Sequence, residues 1–279
     1  MADVSNTKRI AIVGKTGAGK SSLANTIFAE AKFKIYHTFS SGTKKCQSET
    51  RSVNGRSITL IDTPGLFDTD RSEEEIRSEI LRCITECAPG LHAFLVLLKV
   101  EKYTEQEQAV IKKIQEYFSE EAFKYATVLF THADQLPEKQ TIEEFAHQNK
   151  RVSDLVKKCG GRCHIIDNKY WKEKPKNEYR SNQFQVEELL KTIDKMVMEN
   201  KGGCFTNGTL QKVEEMKKQD VEKIRQSQAN LTEEEIREEA NDRVYNILNR
   251  LRGIRTVDFM GALFGVAVMV AAVITALQA

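Results

Sequence analysis

The chain has 279 residues, of which 29% are charged and 40% hydrophobic, and its formal net charge at pH 7 is +2. This length suits one large α/β domain with appendages, because single hydrophobic cores usually stop growing near ~250–300 residues. The nearly balanced charge gives no electrostatic argument for nucleic acid, and no basic run with interleaved aromatic residues is present, so the sequence predicts no nucleic-acid partner.

The first nine residues are polar and contain no apolar stretch of the kind that a secretory signal requires. We therefore expect a cytosolic protein whose cysteines are reduced. The six cysteines include two C-x-x-x-C spacings but no C-x-x-C pair. This spacing argues against a zinc site.

Short apolar runs alternate with longer segments that have helical start signals. Each run has three to seven residues rich in Ile, Val, Leu or Phe, as expected for parallel strands covered on both faces. The runs lie at residues 9–13, 58–61, 92–98, 127–130 and 164–166. Capping-box spacings, which mark helix starts, occur at Ser72 with Glu75, Thr104 with Glu107, and Thr141 with Glu144. The alternation predicts a doubly wound, mostly parallel α/β sheet that binds ligands at the carboxyl ends of its strands.

A phosphate-binding loop is predicted directly after the first strand, where the sequence matches the pattern G-x-x-x-x-G-K-[ST]. Glycines let the backbone N–H groups point at phosphates, and the following helix N-terminus adds partial positive charge. We expect Lys20 to reach the β- and γ-phosphates and the hydroxyl of Ser21 to ligate Mg²⁺. The predicted nucleotide-binding residues of this loop are Gly14, Lys15, Thr16, Gly17, Ala18, Gly19, Lys20, Ser21 and Ser22.

A second phosphate-site signal, the sequence D-T-P-G, follows the apolar run 58–61. Asp62 stands at the carboxyl end of that strand, on the edge that carries the phosphate-binding loop. The sequence predicts that Asp62 holds Mg²⁺ through water and that Gly65 donates its N–H to a γ-phosphate. Residues 66–70 are then expected to form a nucleotide-sensing switch.

The sequence Thr131-His132-Ala133-Asp134 follows the fourth predicted strand and has the form of a guanine-specificity loop. A carboxylate at Asp134 can accept hydrogen bonds from guanine N1–H and N2–H₂, which adenine does not offer. His132 or its neighbours are expected to cover the face of the base.

The C-terminal part of the chain differs in composition from the rest. Residues 209–255 are dominated by charged and amide side chains, which indicates one long helix or a pair of helices, either as an exposed stalk or docked on the globular part. Residues 259–277 contain no charge and are ~19 residues long, close to the ~20 that cross a bilayer as a helix. Basic residues precede this span, so we expect a transmembrane tail anchor with the nucleotide domain on the cytosolic side. Gly261 and Gly265 give a G-x-x-x-G spacing that suits close helix pairing.

The chain resembles the GIMAP family, the immunity-associated nucleotide-binding GTPases with septin-like and Toc-like relatives that assemble on membranes. The resemblance covers roughly residues 7–200 and is carried by three stretches, IAIVGKTG at 10–17, DTPGLFDT at 62–69 and APGLHAFLVL at 88–97. It implies a G domain over 7–203, a helical extension over 204–256 and a membrane anchor over 257–279. GTP or GDP and Mg²⁺ are the cofactors implied.

The resemblance also assigns residues that spacing alone does not. Thr43 is the implied switch-I threonine, and Thr38 is the competing choice. In this role Thr43 binds nucleotide and is a metal ligand together with Ser21 and Asp62. Asn168 is the implied contact to guanine O6, although Asp167 stands where the family usually has a second asparagine. Trp171 is expected either to close over the base or to pack in the interior.

Two departures concern hydrolysis. Leu66 occupies the position where many small GTPases place a water-orienting glutamine, so slow intrinsic hydrolysis is expected. Family members often carry an arginine just before a Tyr-Thr or Phe-Thr pair, and the matching residue here is Lys102. The resemblance makes Lys102 the candidate catalytic residue, acting across a homodimer or larger oligomer that pairs through its nucleotide faces.

Three functions are compatible with these signals. One is a slowly hydrolysing regulatory GTPase, and another is a nucleotide-gated membrane scaffold with negligible hydrolysis. The third, a P-loop kinase or ATPase, gives no reason for the guanine-type loop at residues 131–134.

Overall fold

The five apolar runs and one further, polar strand form a six-stranded sheet. The computed structural model describes residues 7–35, 46–63, 72–171, 178–228 and 230–251. Its strands are β1 (Lys8–Gly14), β2 (Gln47–Val53), β3 (Arg56–Asp62), β4 (Ala93–Lys99), β5 (Ala126–Thr131) and β6 (Cys163–Ile165). Their order is β2-β3-β1-β4-β5-β6, and all neighbouring pairs are parallel except β2 and β3. The predicted mostly parallel sheet is therefore confirmed.

One strand, β2, is missing from the prediction. Its sequence QSETRSV is polar and mostly exposed, because β2 lies at the edge of the sheet and pairs only with β3. The two strands are joined by Asn54-Gly55, whose φ angles of 49° and 77° are both positive. Asn-Gly is the dipeptide that favours a two-residue hairpin turn, so this turn carried a signal that hydrophobic periodicity alone does not detect.

Helices connect the strands and follow the predicted alternation. They are α1 (Lys20–Phe28), α2 (Glu73–Cys87), α3 (Glu105–Phe118), α4 (Ile142–His147), α5 (Lys150–Lys158), α6 (Asn182–Glu199), α7 (Gly208–Ser227) and α8 (Glu233–Leu251). The capping boxes predicted for α2, α3 and α4 are all present. At α3, the Glu107 carboxylate accepts a 2.9 Å hydrogen bond from the Thr104 backbone N–H, so a donor at the helix start is satisfied.

The hydrophobic core lies on both faces of the sheet. On one face, Leu23 of α1 and Leu189 of α6 belong to a buried cluster with Ile12 and Leu95. Each side chain of this size contributes about 1.5–3 kcal/mol when it is fully buried. On the other face, Phe94 of β4 meets Phe118 of α3 edge to face, with ring centroids 5.2 Å apart. Helices pack on both faces of the central strands. The carboxyl ends of these strands carry the residues of the site.

The chain divides into two compact units, residues Met1–Phe205 and Thr206–Ala279. The second unit contains α7 and α8, which pack on each other around Ile224, Ile236 and Ala240. Among the helices of the described ranges, none is long and apolar enough to cross a membrane. The predicted anchor at 257–279 lies outside the residues that the structure describes.

Candidate functional site

The loop between β1 and α1 curls around an open space at the carboxyl edge of the sheet. Gly17 and Gly19 have φ angles of 74° and 88°, which L-residues with a side chain rarely adopt. Gly14 is required for a different reason, because a Cβ there would come within 3.0 Å of Leu97. The residues predicted as a phosphate-binding loop thus lie between a parallel strand and a helix N-terminus, which is the geometry that an anion site needs.

Lys20 is the first residue of α1, and its side chain extends back toward the phosphate-binding loop. Its side chain is buried, and Nζ donates to the carbonyl oxygens of Gly14 at 3.0 Å and Lys15 at 3.1 Å. These bonds keep the ammonium group inside the curl of the loop. A cation held there suits phosphate oxygens, since buried charge-assisted hydrogen bonds are the strongest of their kind.

Ser21 and Asp62, the predicted metal-binding pair, lie in direct contact. The Ser21 hydroxyl donates to Asp62 Oδ2 at 2.6 Å. Asp62 is fully buried, and its other oxygen, Oδ1, has no hydrogen-bond partner among the described residues. Burial raises the pKa of Asp62, although the Ser21 hydrogen bond and the Lys20 charge act to lower it. A buried carboxylate oxygen without a partner, next to a hydroxyl, fits Mg²⁺, which prefers oxygen ligands.

The predicted base-recognition loop is tied to the phosphate-binding loop. Thr131, the last residue of β5, donates from its hydroxyl to the carbonyl oxygen of Ala18 at 2.9 Å. His132 then turns the chain with φ of 60°, and its Nδ1 lies 3.1 Å from the Thr131 hydroxyl. Asp134 follows with an exposed side chain. Desolvation and then the neighbouring Asp167 raise the pKa of Asp134.

Asn168 lies against the phosphate-binding loop from the other side. Its Oδ1 accepts a 3.0 Å hydrogen bond from the Thr26 hydroxyl of α1, and its Nδ2 would be 3.1 Å from a Cβ placed on Gly19. The amide therefore presents Nδ2, a donor, beside the loop, and guanine O6 is an acceptor. Trp171 is 3% exposed, so it packs in the interior and does not cover a base.

Lys102 lies in the exposed loop between β4 and α3. This loop is linked to the phosphate-binding loop through Lys15, whose Nζ is 2.6 Å from Glu107 Oε1 and 2.9 Å from Glu101 Oε1. Burial lowers the pKa of Lys15, but the hydrogen bonds of Glu107 and Glu101 outweigh it, so that the pKa is raised. Sequence reasoning gave Glu107 only a helix-capping role and missed this ion pair, which no local pattern signals.

A cavity of about 200 Å³ lies beside the same loop. Its lining combines Lys102, Tyr103 and Glu107 with apolar side chains, among them Phe130 and Val152. Burial, followed by the charge of Glu107, raises the pKa of Tyr103 to about 12. Tyr103 therefore stays neutral and can contact the apolar lining of this cavity without an ionisation cost.

Several predicted residues lie outside the described ranges. They are Thr43 and its competitor Thr38, Gly65, and the switch segment 66–70. Within the described ranges, the predicted residues come together at one edge of the sheet, where the carboxyl ends of β1, β3, β4 and β5 meet. The structure thus brings together the described residues that were predicted to bind the phosphates, the metal and the base.

Comparison with known proteins gives a family match. The model of the AIG1 family matches residues 8–226. Immune-associated nucleotide-binding protein 7 of Arabidopsis thaliana is 32% identical over 237 residues, which cover 83% of this chain and 73% of the relative. GTPase IMAP family member 8 of Homo sapiens is 31% identical over 199 residues, covering 71% of this chain and 29% of that protein. The chain thus spans less than a third of the human relative.

Among solved structures, Toc33 from Arabidopsis thaliana is similar in fold. Its dimerization-deficient mutant superposes with a TM-score of 0.57 at 19% identity, covering 72% of this chain and 88% of that chain. Toc33 in complex with GDP and Mg²⁺ gives a TM-score of 0.55 at 20% identity, with 70% and 85% covered. At such identity the similarity establishes the fold.

Proposed function

The chain belongs to the AIG1 family, and from that premise we propose that it is a GTPase that binds GTP and GDP with Mg²⁺ at the cytosolic face of an intracellular membrane. The observation that carries the proposal is the contact between Ser21 and the buried, half-satisfied Asp62 beside Lys20. Toc33, which shares the fold, has been crystallised with GDP and Mg²⁺. The same cofactors suit the side chains present here.

Residues of the proposed phosphate site contribute positive charge, hydrogen-bond donors and the placement of the metal-binding oxygens. Mg²⁺, when bound, neutralises negative charge on the β- and γ-phosphate oxygens. Lys20 adds a fixed ammonium group, and the backbone N–H groups of the loop 15–19 add donors that need no reorganisation. Asp62, at the end of the neighbouring strand β3, accepts a hydrogen bond from the Ser21 hydroxyl, so the oxygens proposed to hold Mg²⁺ lie next to each other.

Asp134 supplies the selectivity for guanine in this proposal. We expect Asp134→Asn to lower the affinity for GDP by about 10- to 100-fold, since an asparagine accepts one of the two guanine N–H bonds and opposes the other with its own amide. Calorimetric titration of GDP and ADP measures the preference. Glu138→Gln, which removes an exposed carboxylate four residues away, is the matched control and should leave both affinities unchanged. Equal affinity of the unmodified protein for GDP and ADP would contradict the base assignment.

Hydrolysis is proposed to be slow in the monomer and faster in a pair. Leu66 offers no group to orient the attacking water, so that role requires a residue from elsewhere. For the chloroplast translocon components atToc33 and psToc159, dimerization is important for GTPase activity. Lys102, exposed at the same edge as the nucleotide site, is our candidate for a positive charge that reaches the partner's γ-phosphate.

Turnover per protomer should therefore rise with protein concentration. At high protein concentration, we expect Lys102→Ala to lower turnover per protomer by about 10-fold or more, so that turnover no longer rises with concentration. Lys102→Arg should keep the rise, because a side chain that stabilises transition-state charge must be cationic. Lys157→Ala, at an exposed position on α5, is the control. The measurement is phosphate release over a wide concentration range, with sedimentation in GDP and in a non-hydrolysable GTP analogue. A monomer in both states with constant turnover would exclude nucleotide-driven pairing.

A nucleotide-gated scaffold with negligible hydrolysis is the second candidate function. The observation that favours it is again Leu66, because the position directly after the glycine of the D-T-P-G sequence carries no polar side chain. In that case the sedimentation experiment shows GTP-dependent pairing, but phosphate release does not change with concentration. The two functions thus differ in whether turnover per protomer rises with protein concentration.

A further inference from the structure

We propose that Asp167 is a positioning residue for guanine selectivity, which holds the two base-recognition loops in one arrangement. The proposal rests on the guanine site proposed above. Asp167 lies two residues after the end of β6 and is 1% exposed.

The carboxylate of Asp167 accepts hydrogen bonds from backbone N–H groups of both loops. Oδ2 accepts from the N–H of Asp134 at 3.0 Å, in the loop after β5. Oδ1 accepts from the N–H of Lys169 at 2.8 Å and of Tyr170 at 2.5 Å, in the loop after β6. One side chain therefore holds the backbone N–H of Asp134, the residue proposed to read guanine N1 and N2, and the backbone that follows Asn168.

Asp167 is held in turn by the start of α6. Its backbone N–H donates to Asn182 Oδ1 at 3.1 Å, and Asn182 Nδ2 donates to the Asp167 carbonyl oxygen at 2.5 Å. Asn182 is itself 5% exposed. The backbone of Asp167 is thus held by a buried side chain at the start of α6.

The bonding pattern requires an ionised carboxylate. Burial raises the pKa of Asp167, but the three backbone N–H bonds and the contact with the Asp134 side chain outweigh it, and the pKa is lowered from its ordinary value. Both oxygens then act as acceptors at neutral pH.

Asp167→Ala removes both acceptor oxygens and is therefore expected to loosen Asp134 without altering the phosphate site. The readout is the ratio of affinities for GDP and IDP, because inosine lacks the 2-amino group that Asp134 recognises. We expect Asp167→Ala to lower the GDP/IDP ratio by about 10-fold, the size of one charge-assisted hydrogen bond. Asp154→Ala, the same change at an exposed position on α5, should leave the ratio unchanged. A general loss of structure would reduce both affinities together and keep the ratio.

A double-mutant cycle with Asp134→Asn separates this inference from the proposed function. If Asp167 acts through Asp134, Asp167→Ala adds nothing to the ratio in the Asp134→Asn background. Loss of the ratio in Asp134→Asn but not in Asp167→Ala overturns the positioning role alone. An unchanged ratio in Asp134→Asn overturns the guanine site. As a measurement on the unmodified protein, hydrogen exchange should show a protected Asp134 amide without nucleotide, and exchange at the rate of a free amide would overturn the inference.

Discussion

Lys20→Ala is expected to weaken the binding of GDP and GTP by at least about 100-fold, because two or more charge-assisted phosphate contacts of about 1.5–3 kcal/mol each are lost. The ammonium group is buried inside the phosphate-binding loop, and the methyl group of alanine cannot replace its bonds to the carbonyl oxygens of Gly14 and Lys15. Calorimetric titration with Mg²⁺ present measures the loss.

Two further variants define the source of the effect. Lys32→Ala changes an exposed lysine beyond the end of α1 and should bind nucleotide as the unmodified protein does. Ser21→Asn should remove the part of the affinity that depends on Mg²⁺, because the hydroxyl that contacts Asp62 is gone. The phosphate-site assignment is wrong if Lys20→Ala and Ser21→Asn both leave affinity and Mg²⁺ dependence unchanged.

Removal of residues 259–279 is expected to shift the protein from the membrane pellet to the supernatant almost completely. The deleted stretch has no charged residue, and its apolar part, residues 259–277, is ~19 residues long, close to the ~20 that span the hydrocarbon core as a helix. Nucleotide affinity should not change, because the phosphate and base residues all lie before residue 205. Fractionation after carbonate extraction is the measurement.

A control for this truncation keeps the apolar length and changes only the small residues. Replacement of Gly261 and Gly265 by leucine should leave the protein in the pellet, while it removes the G-x-x-x-G spacing that suits helix pairing. Carbonate-resistant pelleting of the truncated protein would contradict the anchor and would assign the attachment to the charged extension or to a lipid group.

The sequence predicted the strands well where burial decides their composition. Strands β1, β3, β4 and β5 are covered on both faces and consist mainly of apolar residues, so each was found to within two residues. Strand β2 escaped because an edge strand with polar side chains has no hydrophobic period. The only local sign of this strand is the Asn54-Gly55 dipeptide, which favours a two-residue hairpin turn.

In the candidate site, local motifs were predictable from the sequence, whereas contacts between motifs were not. The phosphate-binding loop, Asp62 and the 131–134 loop are contiguous motifs next to strands, and the structure places them at one edge of the sheet. Contacts between motifs were not predictable. Glu107 reaches Lys15 and Asp167 reaches Asp134 only because separate strands end side by side. Such pairs depend on tertiary structure, which spacing along one segment does not contain.

The buried position of Trp171 gives this protein an intrinsic optical reporter of its base site. It is the single tryptophan of the chain, and it directly follows the loop that carries Asp167, Asn168 and Tyr170. Its carbonyl oxygen accepts a 3.4 Å hydrogen bond from the N–H of Asn182, the residue that also holds Asp167. All tryptophan fluorescence therefore originates beside one loop. Emission followed in a stopped-flow instrument therefore reports the binding of unlabelled nucleotide beside that loop, with no dye attached to the ligand.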